Sequence, residues 1–147
     1  MKNACTIDIN APIGKVFDII NDSEKHKLWL DGLLETIHEA GYDPKHPLGS
    51  KFKQKIRDGK KVEVYDGEVT AYKRPRHLGV RVFNEAFSAQ VNYRLKTLKK
   101  KTHLSFTSEV TFKSVAFRML AGFSGPMVRG MLEKQLRKLK ELAEAEA

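Results

Sequence analysis

A chain of 147 residues with 41% hydrophobic content suits a single domain, residues 1–147, whose core needs no covalent staple. One cysteine, Cys5, excludes an internal disulfide and fits a cytoplasmic protein; the N-terminus carries no signal-peptide run, and the most apolar stretch, residues 115–132, is broken by Arg118 and Arg129, which excludes a membrane-spanning helix. Twenty-seven Lys and Arg against 18 acids leave a net charge of +9, which favours anionic partners or a plain basic solvated surface and says nothing about fold.

Cys5, Ile7 and Ile9 alternate with Thr6 and Asp8, the pattern of a half-buried strand. Asn10 then stands at an N-cap position with Pro12 in the first helical turn, and Val16, Phe17 and Ile20 follow at helical spacing. A second short helix, capped by Asn21 or Asp22, is expected to end near residues 29–32. From Leu33 the period falls to two. A strand over residues 33–40 leads into a loop holding Gly41, Pro44 and Pro47. Phe52, Gln54 and Ile56 then alternate with Lys51, Lys53, Lys55 and Arg57, one face mostly apolar and the other wholly basic. Asp58-Gly59 makes a hairpin turn.

On the return strand Val62 and Val64 are expected to point inward. That phase would bury Asp66 and Glu68, so a bulge at Asp66-Gly67 is expected to turn Val69 and Ala71 inward instead. Pro75 ends the strand. Leu78, Val80 and Val82 oppose Arg81 in the next one, and Asn84-Glu85 turns the chain. Phe87, Ala89, Val91, Tyr93 and Leu95 alternate with polar residues, and a turn at residues 99–101 follows. Leu104, Phe106, Ser108, Val110 and Phe112 form the inner face of the last strand.

From about residue 114 the period returns to 3.6. Phe117, Leu120, Phe123, Met127, Val128, Met131, Leu132, Leu136, Leu139 and Leu142 form one broad stripe. Gly122, Gly125 and Pro126 interrupt it, so a kink or a fresh start capped by Ser124 is expected; the final four residues are expected to fray. The hairpin-linked strands make one antiparallel sheet with a wet face, and only the last helix is long enough to cover the other. The fold class is therefore α+β: a curved antiparallel sheet of about seven strands, two short helices, and a long C-terminal helix over the concave face.

Ile7-Asp8-Ile9-Asn10-Ala11-Pro12, followed by Val16-Phe17 and Asp22, resembles the start of the START and polyketide-cyclase superfamily (SRPBCC), also called the birch-pollen-allergen-like or helix-grip fold. Trp29 stands where that family often has a tryptophan after its second helix. Gly67-Glu68-Val69 with Pro75-Arg76-His77-Leu78, and the last strand with its helix, are similar to the later part. The resemblance covers nearly the whole chain and rests on residue types rather than on a signature. It implies a cavity between concave sheet and long helix. Members bind lipids, sterols, polyketides, plant hormones or quinones; some are cyclases or dehydratases, and some activate chaperone ATPases. It carries over no catalytic residue, no cofactor and no metal.

The residues themselves agree with a pocket more than with a catalytic machine. No phosphate-binding loop, zinc-type His-Glu-x-x-His or strand-borne nucleophile motif is present. The five histidines, at 26, 38, 46, 77 and 103, lack metal-ligand spacing and read as surface or loop residues. Trp29, Phe52, Gln54, Val80, Tyr93, Phe106, Phe123, Met127 and Met131 are the expected ligand contacts, with Gln54 and Tyr93 as polar anchors. The plain alternative is that the same side chains simply fill a core. Residues 123–131, flexible and interrupted, are expected to gate the cavity. The leading function is binding or transport of a small hydrophobic ligand. An enzyme using Tyr93 or His38 as acid or base is the alternative, and an interaction module a third. Lys51, Lys53, Lys55 and Arg57 offer a possible dock on an anionic membrane; no reading motif supports nucleic acid.

Overall fold

The period-two stretches all become strands, and they all join one sheet. The computed structural model describes residues 2–58, 60–113 and 125–146, with backbone alone at 58 and 125–128. Its elements are β1 (Lys2–Ile9), α1 (Ile13–Asn21), α2 (His26–Trp29), β2 (Leu33–His38), β3 (Lys51–Asp58), β4 (Lys61–Lys73), β5 (His77–Phe83), β6 (Phe87–Leu98), β7 (Lys101–Phe112) and α3 (Gly125–Glu146). The strand order is β1-β7-β6-β5-β4-β3-β2, antiparallel throughout. The two short helices carry the chain from one edge of the sheet to the other, and β2 to β7 then meander back. This is the helix-grip architecture.

The inner face reads along the register. Leu78 lies opposite Tyr93, Val80 opposite Val91 and Val82 opposite Ala89; on the far side Tyr93 pairs with Phe106 and Leu95 with Leu104. Cys5 and Ile9 of β1 join them, and Val16, Phe17, Ile20 and Trp29 pack beneath the same layer. Along α3, Leu136, Leu139 and Ala143 recur at helical spacing and are buried.

Several local details depart from expectation. Pro12, not Asn10, occupies the residue before α1, and no side chain caps that helix. The turn is held from outside instead: the buried Thr102 hydroxyl donates to the Ala11 carbonyl at 2.7 Å. The segment after α1 is a turn, so α2 starts late, at His26. β2 stops at His38, two residues short. Among the described residues α3 stays helical through Glu146, where fraying was expected from residue 144. Ala143 is fully buried, and Glu146 is gripped by Lys25 at 2.9 Å. α3 is also tied by Lys138 to Asp31 and by Lys140 to the Asp8 carbonyl.

The phase of β4 is the main correction. Val62 and Val64 are each 50% exposed and lie opposite Arg57 and Lys55 on the outer face. Glu63, Tyr65, Gly67 and Val69 are the inward set, so Asp66 and Glu68 face solvent with no bulge between them. The register shift comes three residues later, between Val69 and Ala71. It leaves Ala71 outward, opposite Gly79, and turns Tyr72 inward onto Phe17, ring centroids 5.6 Å apart. Residues 114–124, and with them the expected Ser124 cap and the interruption at Gly122, lie outside the described residues.

A candidate ligand cavity beneath the C-terminal helix

Between the sheet and the helices the chain leaves a half-enclosed cavity of about 290 Å³. Leu78, Val80, Val82, Ala89, Val91, Tyr93, Phe106, Ser108 and Val110 form its floor. Phe52 and Gln54 of β3, with Thr36 and His38 of β2, form one wall. His26, Trp29 and Leu30 of the α2 corner close an end, and Leu132 and Gln135 of α3 form the roof. Of the described strands, the edge strand β1 packs most closely against α3.

Six of the nine expected contact residues meet here: Trp29, Phe52, Gln54, Val80, Tyr93 and Phe106. Met131 does not. It is 47% exposed, because the helical period that buries Leu132 and Leu136 turns its neighbour toward solvent. Phe123 lies outside the described residues and so does the Met127 side chain, which leaves most of the expected gate undescribed.

An aromatic chain fixes the end wall. Trp29 packs edge-on against Tyr93 at 6.0 Å, and Tyr93 against Phe106 at 5.2 Å. Desolvation pushes the Tyr93 hydroxyl far above the ordinary phenol range, so it stays protonated. Phe52 reaches its place because its cross-strand partner is Gly67: a Cβ there would stand 2.2 Å from the Phe52 ring. Glycine at this point is a steric requirement.

The polar part of the lining was only partly legible in sequence. Four buried side-chain atoms of cavity-lining residues have no hydrogen-bond partner: His26 Nδ1, Trp29 Nε1, Thr36 Oγ1 and His38 Nδ1. His26 and His38, read from sequence as surface or loop residues, are partly exposed and line the cavity. His26 Nε2 donates to the Ile20 carbonyl at 2.7 Å, and His38 Nε2 shares a hydrogen bond with Ser23 Oγ at 2.9 Å. Desolvation lowers both imidazoles below the ordinary value of 6.5, so they are neutral at pH 7. The available signal was positional. Thr36 and His38 alternate on β2 directly opposite Gln54 and Phe52, and His26 is three residues before Trp29 on α2. Among the described residues no group of His, Cys, Asp or Glu is arranged to hold a metal.

The cavity shares Asn21, His38 and Tyr42 with a polar surface hollow lined by Asp22, Ser23, Lys45 and Arg74, among others. The Tyr42 ring stacks on His38 at 3.7 Å. At this corner, between the α1–α2 turn and the loop after β2, the apolar cavity and the polar hollow adjoin. On the outer face, Lys51, Lys53 and Lys55 sit beside acids, while Arg57 lies across from Val62. Lys53 contacts Asp66 at 2.7 Å, Lys55 contacts Glu35 at 3.5 Å, and Lys51 lies across from Glu68. The stripe is basic on its own strand but mixed on the sheet. Among the described residues no helix is long and apolar enough to cross a membrane.

Residues 4–144 match the family model described as polyketide cyclase / dehydrase and lipid transport. The chain belongs to this family. It is an SRPBCC-type protein, and its solved neighbours share the whole fold. Ara h 8.0201 superimposes with a TM-score of 0.75 at 10% identity, covering 99% of this chain and 98% of that one. A protein of Chromobacterium violaceum gives 0.77 at 14%, covering 98% of each. StfQ, a di-domain ARO/CYC protein of the steffimycin biosynthetic pathway, gives 0.75 at 10%, covering 99% of this SRPBCC chain and 51% of its own length. At such identities the likeness concerns the fold alone. No curated protein sequence matches the chain.

Proposed function

We propose that this SRPBCC protein binds, and carries or stores, a small hydrophobic molecule in the cavity between its sheet and α3. The observation that carries the reading is the unfilled 290 Å³ space itself, walled by Trp29, Phe52, Val80, Tyr93, Phe106 and Leu132. A sphere of that volume has a surface of roughly 210 Å², whose apolar burial is worth about 5 kcal/mol. That alone corresponds to a Kd on the order of 10⁻⁴ M. Micromolar affinity, about 8 kcal/mol, needs the polar wall to contribute as well, at about 1 kcal/mol per hydrogen bond regained.

Native mass spectrometry of protein purified from its own host, followed by solvent extraction, tests the reading. A bound lipid, quinone or polyketide-like molecule supports it. An apo mass, together with no uptake of added apolar compounds, counts against it. One observation favours a second reading, that of a cyclase or dehydratase: two neutral imidazoles, His26 and His38, face the cavity and are placed to take a proton. The extracted molecule separates the two. A carrier returns it unchanged after prolonged incubation, whereas an enzyme converts it.

A further inference from the structure

Positive charge is spread unevenly over the outer face of the sheet. It gathers at the end where the β4–β5 and β6–β7 turns lie. There Lys73, His77 and Arg94 share one row across three strands, Lys96 pairs with His103 in a neighbouring row, and Leu98 pairs with Lys101 beyond it. Side chains alternate along β6, so Arg94, Lys96 and Leu98 share the outer face while Tyr93 and Leu95 are buried within. Arg76 lies in the first turn, and Lys99 and Lys100 form the second. All these lysines and arginines are exposed, and none is ion-paired with an acid among the described residues. The acid on these rows is Asp8, which faces His103 and bonds to it at 2.7 Å. Asp18 is held by Arg74 at 2.8 Å. The adjoining row, Gly79, Asn92 and Thr107, is uncharged. The β3 lysines differ, since acids lie beside them.

Like charges on neighbouring strands repel, so this patch gains from an anionic partner. Leu98 narrows the choice. It is 50% exposed and stands on the same face beside Lys96 and Lys101. We propose that this end of the sheet docks the protein on an anionic phospholipid bilayer, with the lysines and arginines among the headgroups and Leu98 set into the interface. A bilayer rewards both features, charge in the headgroup layer and an apolar side chain just beneath it. A polynucleotide rewards the charge alone, and no aromatic ring stands among these rows to stack on bases. The proposal concerns a surface remote in kind from the cavity and holds whether or not a guest is bound.

Co-sedimentation of the intact protein with phosphatidylcholine vesicles, with and without 30% phosphatidylserine, tests the dock. Binding is expected to the anionic vesicles and to fall steeply between 0.1 and 0.5 M NaCl. Each basic residue at an anionic surface tightens partitioning roughly fivefold, so Lys96→Gln, Lys100→Gln and Lys101→Gln together should weaken it about 100-fold. The same loss of charge at Lys51→Gln, Lys53→Gln and Lys55→Gln should weaken it less than about fivefold. Leu98→Ser should cost roughly 5- to 10-fold. If the variants do not fold, amide resonances of the wild-type chain titrated with anionic bicelles give the second readout, with broadening expected over residues 94–101. Equal losses in the two triple variants, broadening elsewhere, or equal binding to neutral vesicles would overturn the assignment. So would no vesicle binding, or retention of a 20-base-pair DNA duplex or a 20-nucleotide RNA at salt that releases the vesicles.

Discussion

Val91 stands mid-floor in β6, between Val80 and Ser108 across the sheet, and faces the cavity. Val91→Phe therefore places a ring in the void rather than against packed atoms. The exchange adds four carbons, worth at most about 3 kcal/mol if all are buried and about 1–2 kcal/mol with partial burial and the loss of rotamer freedom. For a chain of this size, about 1 kcal/mol moves Tm by roughly 2–4 °C, so an increase of about 3–6 °C is expected in thermal unfolding followed by circular dichroism. The same variant should lose binding of an apolar dye such as anilinonaphthalenesulfonate. A side-chain-filled core predicts the opposite sign. Overpacking would then cost about 1–3 kcal/mol and lower Tm by about 3–10 °C. A falling Tm with unchanged dye binding would refute the claim that space exists there.

Gly67→Ala should destabilise by about 1–3 kcal/mol, because the new Cβ collides with the Phe52 ring. Combining it with Phe52→Ala should cost less than the two single changes together, and a fully additive double-mutant cycle would contradict the contact. The histidines predict a pH dependence. Desolvation lowers His26 and His38 in the fold, so below their ordinary value of 6.5 the unfolded chain binds more protons. Stability should be complete above about pH 7 and decline as pH falls below 6.5 toward the folded values. His26→Gln should flatten part of that decline between pH 7 and 5 in urea titrations; an identical slope would assign the effect elsewhere.

Much of the fold could be read from residue order because strand patterning is local. Phe87 to Leu95 and Leu104 to Phe112 alternate so strictly that face, neighbours and length follow. The β4 error shows where locality ends. Lys61-Val62-Glu63-Val64 alternates equally well in either phase, and the hydrophobic choice was the wrong one. Phase is set by pairing with β3, where Phe52 needs a glycine opposite; this places Gly67 inward and with it Glu63, whose carboxylate accepts from the Tyr65 hydroxyl at 2.5 Å. The apolar wall of the site followed from the same inward phase. Its polar end did not, since nothing in a four-residue helix marks His26 as a cavity-lining residue, and an unmatched atom is defined only by what the assembled fold fails to place beside it. Met131 was misplaced for a simpler reason: a broad helical stripe contains more apolar residues than its buried face can hold.

The central claim is that an apolar guest enters this cavity and no other part of the molecule, and heteronuclear NMR titration with naphthalene measures it residue by residue. The account predicts saturable shifts at the methyls of Val80, Val91 and Leu132 and at the indole N–H of Trp29, the only tryptophan in the chain. Unmoved resonances at these four positions, or shifts scattered over the exposed face of β3 and β4, would contradict it.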